Sequence, residues 1–308
     1  MSTHPLSQQS SRALSHERLG LVLGFIGMAI FGGTLPATRI AVSAIDPLSL
    51  TALRTATAGG ASLTLLIVLR RPFPPRPLWL QLGVASLCVS ILFPFLMAVA
   101  MTTVDASHGG VVMGALPIAT ALVAVLVTHD RPGPLFWIAS VAGAALVVAF
   151  ALRQGGGALT SGDLLLFAAV AASAVGYAFS GRLTIEMPGW EVISWALVIA
   201  LPISLPAAVL FLPGNGGEIP LRPWLALVYV ALFSQWIGFF AWNAGLAMGG
   251  IARVSQMQLL QPFVTFALAA LLNGETITPQ IVLFAAGVVA TVAISTRTRS
   301  RKTPRPRR

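Results

Sequence analysis

Four polar side chains recur at helical spacing in an otherwise apolar stretch: Ser255, Gln258, Gln261 and Thr265. At about 100° per residue they share roughly a third of a helix circumference. Leu259, Leu260, Phe263, Val264 and Phe266 take the rest. Pro262 lies in the same stretch, where its missing N–H leaves a carbonyl free to meet a ligand. Upstream, Gln235, Phe239 and Trp242 follow i, i+4, i+7, and Trp236 and Asn243 extend that face. Aromatic walls with a few polar groups are the make-up of small-molecule pockets. Ser173, Tyr177 and Ser180 form a third face, beside Gly176 and several alanines. The chemistry open to such groups is hydrogen bonding and stacking. Each face also fits a plainer role: bulky packing, or amides bonded to a neighbouring helix at about 0.6 kcal/mol each.

The ionisable residues are few. His108 can titrate near physiological pH and sense a proton, or serve as interfacial decoration. Arg39 and Arg54 fall near the ends of adjacent apolar runs. They can pair with Asp46, gate an anionic solute, or snorkel to headgroups. Asp163, Glu191 and Glu275 lie near run ends, and no carboxylate lies mid-run, so ion coupling has no support from the sequence. There is no P-loop pattern, Asp-rich cluster, Ser/His/Asp set or paired histidine. No catalytic chemistry, metal or cofactor is implied.

The elements that must hold these residues are membrane helices. Of 308 residues, 56% are hydrophobic and 9% charged, with a mean hydropathy of +0.86. An ordinary soluble domain carries about 25% charged residues, so most of this surface must face lipid. A span needs roughly 20 apolar residues. The runs predict helices over 19–43, 47–70, 78–102, 106–128, 134–152, 162–183, 189–212, 222–247, 251–273 and 277–296. Breakers such as 71–75, 131–134, 155–157 and 213–217 separate them. A cleaved signal peptide is not expected, because the first run is long and many others follow. Gly20 and Gly24 read as close helix packing.

Charge gives an orientation. With the N-terminus in the cytoplasm, Arg12, Arg18, Arg70, Arg71, Arg76, Arg131, Arg182 and Arg253 fall inside, as does the basic tail from Arg297 to Arg308. Only Arg39, Arg153 and Arg222 fall clearly outside. Both termini are therefore expected in the cytoplasm. Trp79, Trp137, Trp190 and Trp224 sit at helix starts, where interfacial rings belong. The net charge of +10 lies largely in the tail, which points to anionic lipid headgroups and not to nucleic acid. Cys88 is the single cysteine, so no intrachain disulfide can form.

The chain also repeats. A shift of 145 places Trp79 on Trp224, Leu87 on Leu232, Phe95 on Phe240, Pro117 on Pro262 and Asp130 on Glu275. It pairs the third and fourth helices with the eighth and ninth. Five helices per half is odd, so the second half enters the membrane upside down, as in secondary transporters.

With these features the sequence resembles the EamA-type members of the drug/metabolite transporter superfamily, from about residue 20 to 296. The resemblance rests on Phe31-Gly-Gly-Thr34-Leu-Pro-Ala-Thr-Arg39 and on Asp46-Pro47 with Arg54 following. It rests also on Pro117 and Pro262, Gly162-Asp163, and Gly274-Glu275 with Gly287. Phe31, Thr34, Arg39 and Asp130 stand where the family more often has Trp, Asn, Lys and Glu. The resemblance implies an all-α integral membrane protein of ten transmembrane helices in two inverted five-helix repeats. It places the repeats at 19–152 and 162–296, joined by a linker at 153–161, with tails at 1–18 and 297–308.

It also implies alternating-access secondary transport of a small metabolite, often export, from a bacterial-type inner membrane. The solute expected is amino-acid-like or another small polar or amphipathic molecule. Thr34, Tyr177, Gln235, Trp242, Asn243, Gln258, Gln261 and Thr265 are the candidate solute-binding residues. Arg39, Arg54 and His108 are candidate gates. A monomer and a homodimer are both compatible. The alternatives are a non-transporting scaffold subunit and a membrane-embedded lipid-modifying enzyme.

Overall fold

In a computed structural model, which describes residues 6–128, 133–214, 218–249, 254 and 257–299, the chain is an all-helical bundle. We number the membrane-crossing segments α1 to α10. They are α1 (Leu6–Gly32, continued by Thr34–Val42), α2 (Pro47–Val68), α3 (Arg76–Ala100), α4 (Ala106–Met113, continued by Leu116–Thr128) and α5 (Pro134–Gln154). The second half holds α6 (Ser161–Leu183), α7 (Gly189–Leu210), α8 (Leu221–Gly249), α9 (Gln258–Asn273) and α10 (Pro279–Arg299). Eight are long and apolar enough to cross a bilayer, and α9 and α10 contribute shorter apolar stretches. Among the described residues there is no strand. Ser255, Asp130, Arg131, Arg253 and the basic tail beyond Arg299 lie outside the described residues.

Local chemistry explains the boundaries. Asp46 caps α2, accepting from the Leu48 and Ser49 N–H groups at 2.8 and 3.2 Å, with Pro47 in the first turn. Thr160 and Asp163 form a reciprocal capping box on α6. α9 ends on Gly274 at φ +69°, a left-handed turn that glycine adopts without a Cβ clash.

The outside of the bundle is apolar, with Leu80, Ile138, Val209, Leu271 and Leu283 exposed. The inside holds polar residues: Thr38, Thr55, Ser90, Asp163, Ser173 and Ser194 are buried. An apolar outside over a largely apolar core, with these polar groups kept inside, suits a chain whose solvent is lipid. Glycines let backbones meet. A Cβ on Gly20 of α1 would lie 2.1 Å from the Gly249 nitrogen of α8, and one on Gly245 would lie 2.5 Å from the Gly24 nitrogen.

The two halves interleave. α1 packs on α8 and α6 packs on α3, two contacts that the repeat makes equivalent. α2 packs on α7, α4 on α9, and α5 on α10, each helix against its own counterpart. The register of 145 is visible in the backbone. α3 widens into π-helical turns at Ser86–Leu92, and α8 does so at Tyr229–Ile237. The helical run of α4 breaks at 114–115, just before Pro117, and a 3-10 turn at Gln258–Leu260 precedes Pro262 in α9. Homologous irregularities at one register are difficult to obtain by chance from apolar helices alone.

Candidate solute cavity

The irregular backbone lies around a central cavity. Wide turns free main-chain carbonyls, which mark functional positions in helices. In α3 the Ser90 carbonyl accepts from the Thr55 hydroxyl at 2.7 Å and from the Gln235 amide nitrogen at 3.2 Å. Gln235 also donates to the Thr55 hydroxyl at 3.4 Å. Its carbonyl oxygen accepts from Arg54 Nε. Both ends of the Gln235 amide are thus engaged, and it orients Arg54. In α1, whose helix is interrupted at Gly33, the Ile30 carbonyl accepts from the Tyr229 hydroxyl at 2.7 Å. The Gly32 carbonyl accepts from the Thr265 hydroxyl at 2.8 Å. These bonds hold the broken helix against α8 and α9.

The cavity between them is lined by Phe31, Thr34, Arg54, Phe93, Tyr177, Ser234, Gln235, Phe239, Gln258 and Gln261, among others. α1 to α4 supply one side, and α6, α8 and α9 the other. Thr34 and Ser234 share a hydrogen bond of 2.7 Å across the two halves. Phe31 meets Phe239 edge to face at 4.9 Å, and Phe239 meets Tyr177 at 6.2 Å. An adjoining pocket includes Gln258, Gln261, Thr265 and the paired prolines Pro117 and Pro262.

Six of the candidate residues therefore face one cavity: Thr34, Arg54, Tyr177, Gln235, Gln258 and Gln261. Thr265 lines the neighbouring pocket while bracing α1. Trp242 and Asn243 line neither pocket. The Trp242 backbone is the surface against which Gly27 of α1 packs, and Asn243 lies against Gly189 of α7. Trp236 donates to the Ser194 hydroxyl at 3.1 Å. Sequence periodicity missed Phe93, Ser90 and Ser234. The repeat register was a signal for Ser90 alone, which shifted by 145 falls on Gln235, whereas Phe93 and Ser234 fall on Gly238 and Val89.

The arginines depart from expectation. Neither pairs with Asp46, which is engaged as a helix cap. Arg54 does not snorkel: it is 3% exposed. Arg39 lies at the end of the bundle where α1 finishes. It pairs with Asp105 at 2.7 Å and Glu275 at 3.6 Å, and donates to the Met101 and Val104 carbonyls. Glu275 also caps α4, accepting from the Ala106 and Ser107 N–H groups at 2.8 Å each. Burial pushes the Glu275 carboxyl up. Hydrogen bonds from Ser107, Ala106 and Asn273 outweigh that and hold it below its ordinary value. His108 does not stand alone as interfacial decoration. Its Nε2 lies 2.6 Å from Oδ1 of Asp163, whose side chain is fully buried. At the opposite end Arg71 pairs with Glu191 at 3.4 Å and lies over the Trp190 ring at 5.3 Å. Both ends of the bundle are therefore tied by charge, and the cavity lies between them. Among the described residues no group of His, Cys, Asp or Glu is placed to hold a metal.

The chain is similar to known proteins along most of its length. The model of the EamA-like transporter family matches residues 18–152 and again 160–297. The chain is 44% identical over 278 residues to "Uncharacterized transporter YdeK" of Bacillus subtilis, covering 90% of this chain and 97% of that one. It is 29% identical to the "Probable amino-acid metabolite efflux pump" of Salmonella typhimurium, covering 67% and 72%. A solved crystal structure shares the fold at a TM-score of 0.62 and 21% identity, across 92% of this chain and 99% of that one. Two family matches, one on each five-helix half, and a relative alike along nearly its whole length lead to one conclusion: the chain belongs to the EamA-like transporter family and is a multi-pass membrane transporter.

Proposed function

We propose that this transporter carries a small amphipathic metabolite by alternating access, in the direction of export. The observation that carries the reading is the central cavity. Its polar and aromatic groups come from both inverted halves, and each end of the bundle carries its own ion pairs. Opening the Arg39–Asp105–Glu275 cluster exposes the cavity on one side, and opening Arg71–Glu191 exposes it on the other. The halves at 19–152 and 162–296 are the moving units, and 153–161 joins them. Thr34, Tyr177, Gln258 and Gln261 contact the solute, while Arg39 and His108 belong to the closure at one end.

The arginine bias supports a cytoplasmic location for both termini in the cell's inner membrane. The printed name of the Salmonella relative supports an amino-acid-like solute and outward flux. A monomer and a homodimer both fit this reading, since the named lining residues come from one chain. The test is counterflow into proteoliposomes across a metabolite panel, with folding checked by gel filtration. Saturable exchange of at least one solute is expected. Folded protein that exchanges none of them refutes the proposal.

A further inference from the structure

Among the described residues, a charge at the centre of the molecule, that of Arg54, has no counter-ion. Arg54 is 3% exposed and lines the cavity. Its Nε donates to the carbonyl oxygen of Gln235, which is a neutral acceptor. The other guanidinium N–H groups sit on the two terminal nitrogens. Among the described residues those nitrogens make no hydrogen bond and no ion pair, and the neutral Tyr177 side chain lines the same cavity. Asp105, Glu275, Glu191 and Asp163 are engaged with Arg39, Arg71 and His108, near the ends of the bundle. A cation withdrawn from water without a counter-ion is expensive. Within a membrane span, such a residue marks a solute or ion pathway.

Gln235 holds this charge in place. Its amide nitrogen is fixed by the Ser90 carbonyl and the Thr55 hydroxyl, so its oxygen faces Arg54 Nε. The terminal nitrogens form the flat edge that matches a carboxylate with two parallel hydrogen bonds. Around it stand Phe31, Phe93 and Phe239, an apolar wall. Among the described residues no acidic side chain lines the cavity. One positive charge, no negative charge and an aromatic wall are complementary to a monoanion with an apolar body.

We propose that Arg54 recognises the carboxylate of an organic acid that is net monoanionic, with its apolar part against Phe31, Phe93 and Phe239. This deepens the transport reading and rests on it. It also narrows it: a free amino acid would place its ammonium group where no carboxylate can meet it. A deaminated or N-acylated acid would not.

The test uses the full-length chain in nanodiscs at neutral pH. The ligands are 3-phenylpropanoate, phenylalanine, 2-phenylethylamine and sodium chloride. The first three share a ring and differ in charge, and the last offers an inorganic anion alone. Binding is read as the ligand-dependent rise of the thermal unfolding midpoint. If the aromatic acid is a poor fit, aliphatic and hydroxylated carboxylates of similar length replace it. A carboxylate is expected to act at concentrations at least about tenfold below phenylalanine, the equivalent of one lost charge-assisted contact. The amine and chloride should do nothing.

Arg54→Gln should weaken carboxylate binding by about 10- to 100-fold. It should fold normally, because it removes an unpaired buried charge. Arg54→Lys keeps the charge but loses the flat edge, and should fall between. Gln235→Glu supplies an internal counter-ion and should abolish the preference for acids even if Arg54→Gln were not to fold. The proposal is overturned if no carboxylate stabilises the protein, if chloride or the amine acts as well, or if Arg54→Gln and Gln235→Glu bind acids like the wild type. Counterflow separates this from the broader reading. Exchange of neutral or cationic solutes without acids sinks the carboxylate proposal alone, whereas no exchange of any solute sinks both.

Discussion

Replacing Glu275 tests how this end of the bundle is held together. Its two carboxylate oxygens accept the Ala106 and Ser107 N–H groups at 2.8 Å each, and its side chain is 7% exposed. Glu275→Ala leaves both amides of the first α4 turn without this partner and removes one of the two carboxylates from Arg39. A lost cap and unpaired buried donors together cost about 2–5 kcal/mol. Glu275→Gln keeps one acceptor and should cost about 1–3 kcal/mol.

The pH dependence gives a sharper test. The folded carboxyl lies below its ordinary value of 4.5. Its contribution is therefore complete above the unfolded value and is lost as pH falls through the folded one. Unfolding midpoints in nanodiscs, measured by tryptophan fluorescence, should order as wild type, Gln, Ala at neutral pH. The gap between wild type and Gln should close in acid. An Ala variant as stable as the wild type, or a gap that stays constant down to low pH, would refute the reasoning.

Three further outcomes are expected. Gly20→Ala should destabilise the α1–α8 contact severely, since its Cβ meets backbone at 2.1 Å, whereas Gly60→Ala meets nothing within 4 Å and should be neutral or stabilising by up to about 1 kcal/mol; thermal unfolding of both variants checks this. His108→Leu should cost about 1–3 kcal/mol by leaving one oxygen of buried Asp163 without its His108 partner, and adding Asp163→Asn, which removes the charge and keeps an acceptor for the Thr160 cap, should recover part of the loss in a double-mutant cycle. In a Cys88→Ser background, Gln258→Cys should react with a water-soluble maleimide and Trp242→Cys should not, as mass spectrometry would report, because only the first lines the cavity.

Hydropathy makes the helices legible, because a backbone in lipid has few alternatives to a helix. The repeat was legible from Trp79, Pro117 and their counterparts, and the matched π turns and proline breaks carry the same register. What escaped the sequence was side-chain partnership. Asp163 reads as a helix-start acid because its capping role is local, but its bond to His108 joins helices 55 residues apart. Arg54 reads as an end-of-helix arginine until α7 and α8 close over it. Trp242 shares a face with Gln235 only in an ideal helix. The wide turns at Tyr229–Ile237 advance less than 100° per residue, so residues beyond them fall out of phase with the cavity. Phe239 is near enough to stay on that face, and Trp242 is not.

Ser90 and Gln235 are equivalent positions in the two halves, and they touch at 3.2 Å. Equivalent positions can touch only beside the axis that relates the halves. Arg54 hangs from Gln235, so its charge lies beside that axis too. An axis that relates inverted halves lies in the membrane plane, and exchanging the conformations of the two halves keeps points beside it near mid-depth. In the proposed cycle the guanidinium therefore crosses little of the transmembrane field. A charge carried through the full potential contributes about 2.3 kcal/mol per 100 mV. For this protein that work falls on the cargo. Membrane voltage should bias the loaded carrier through the charge of its solute, and leave the return of the empty carrier almost untouched.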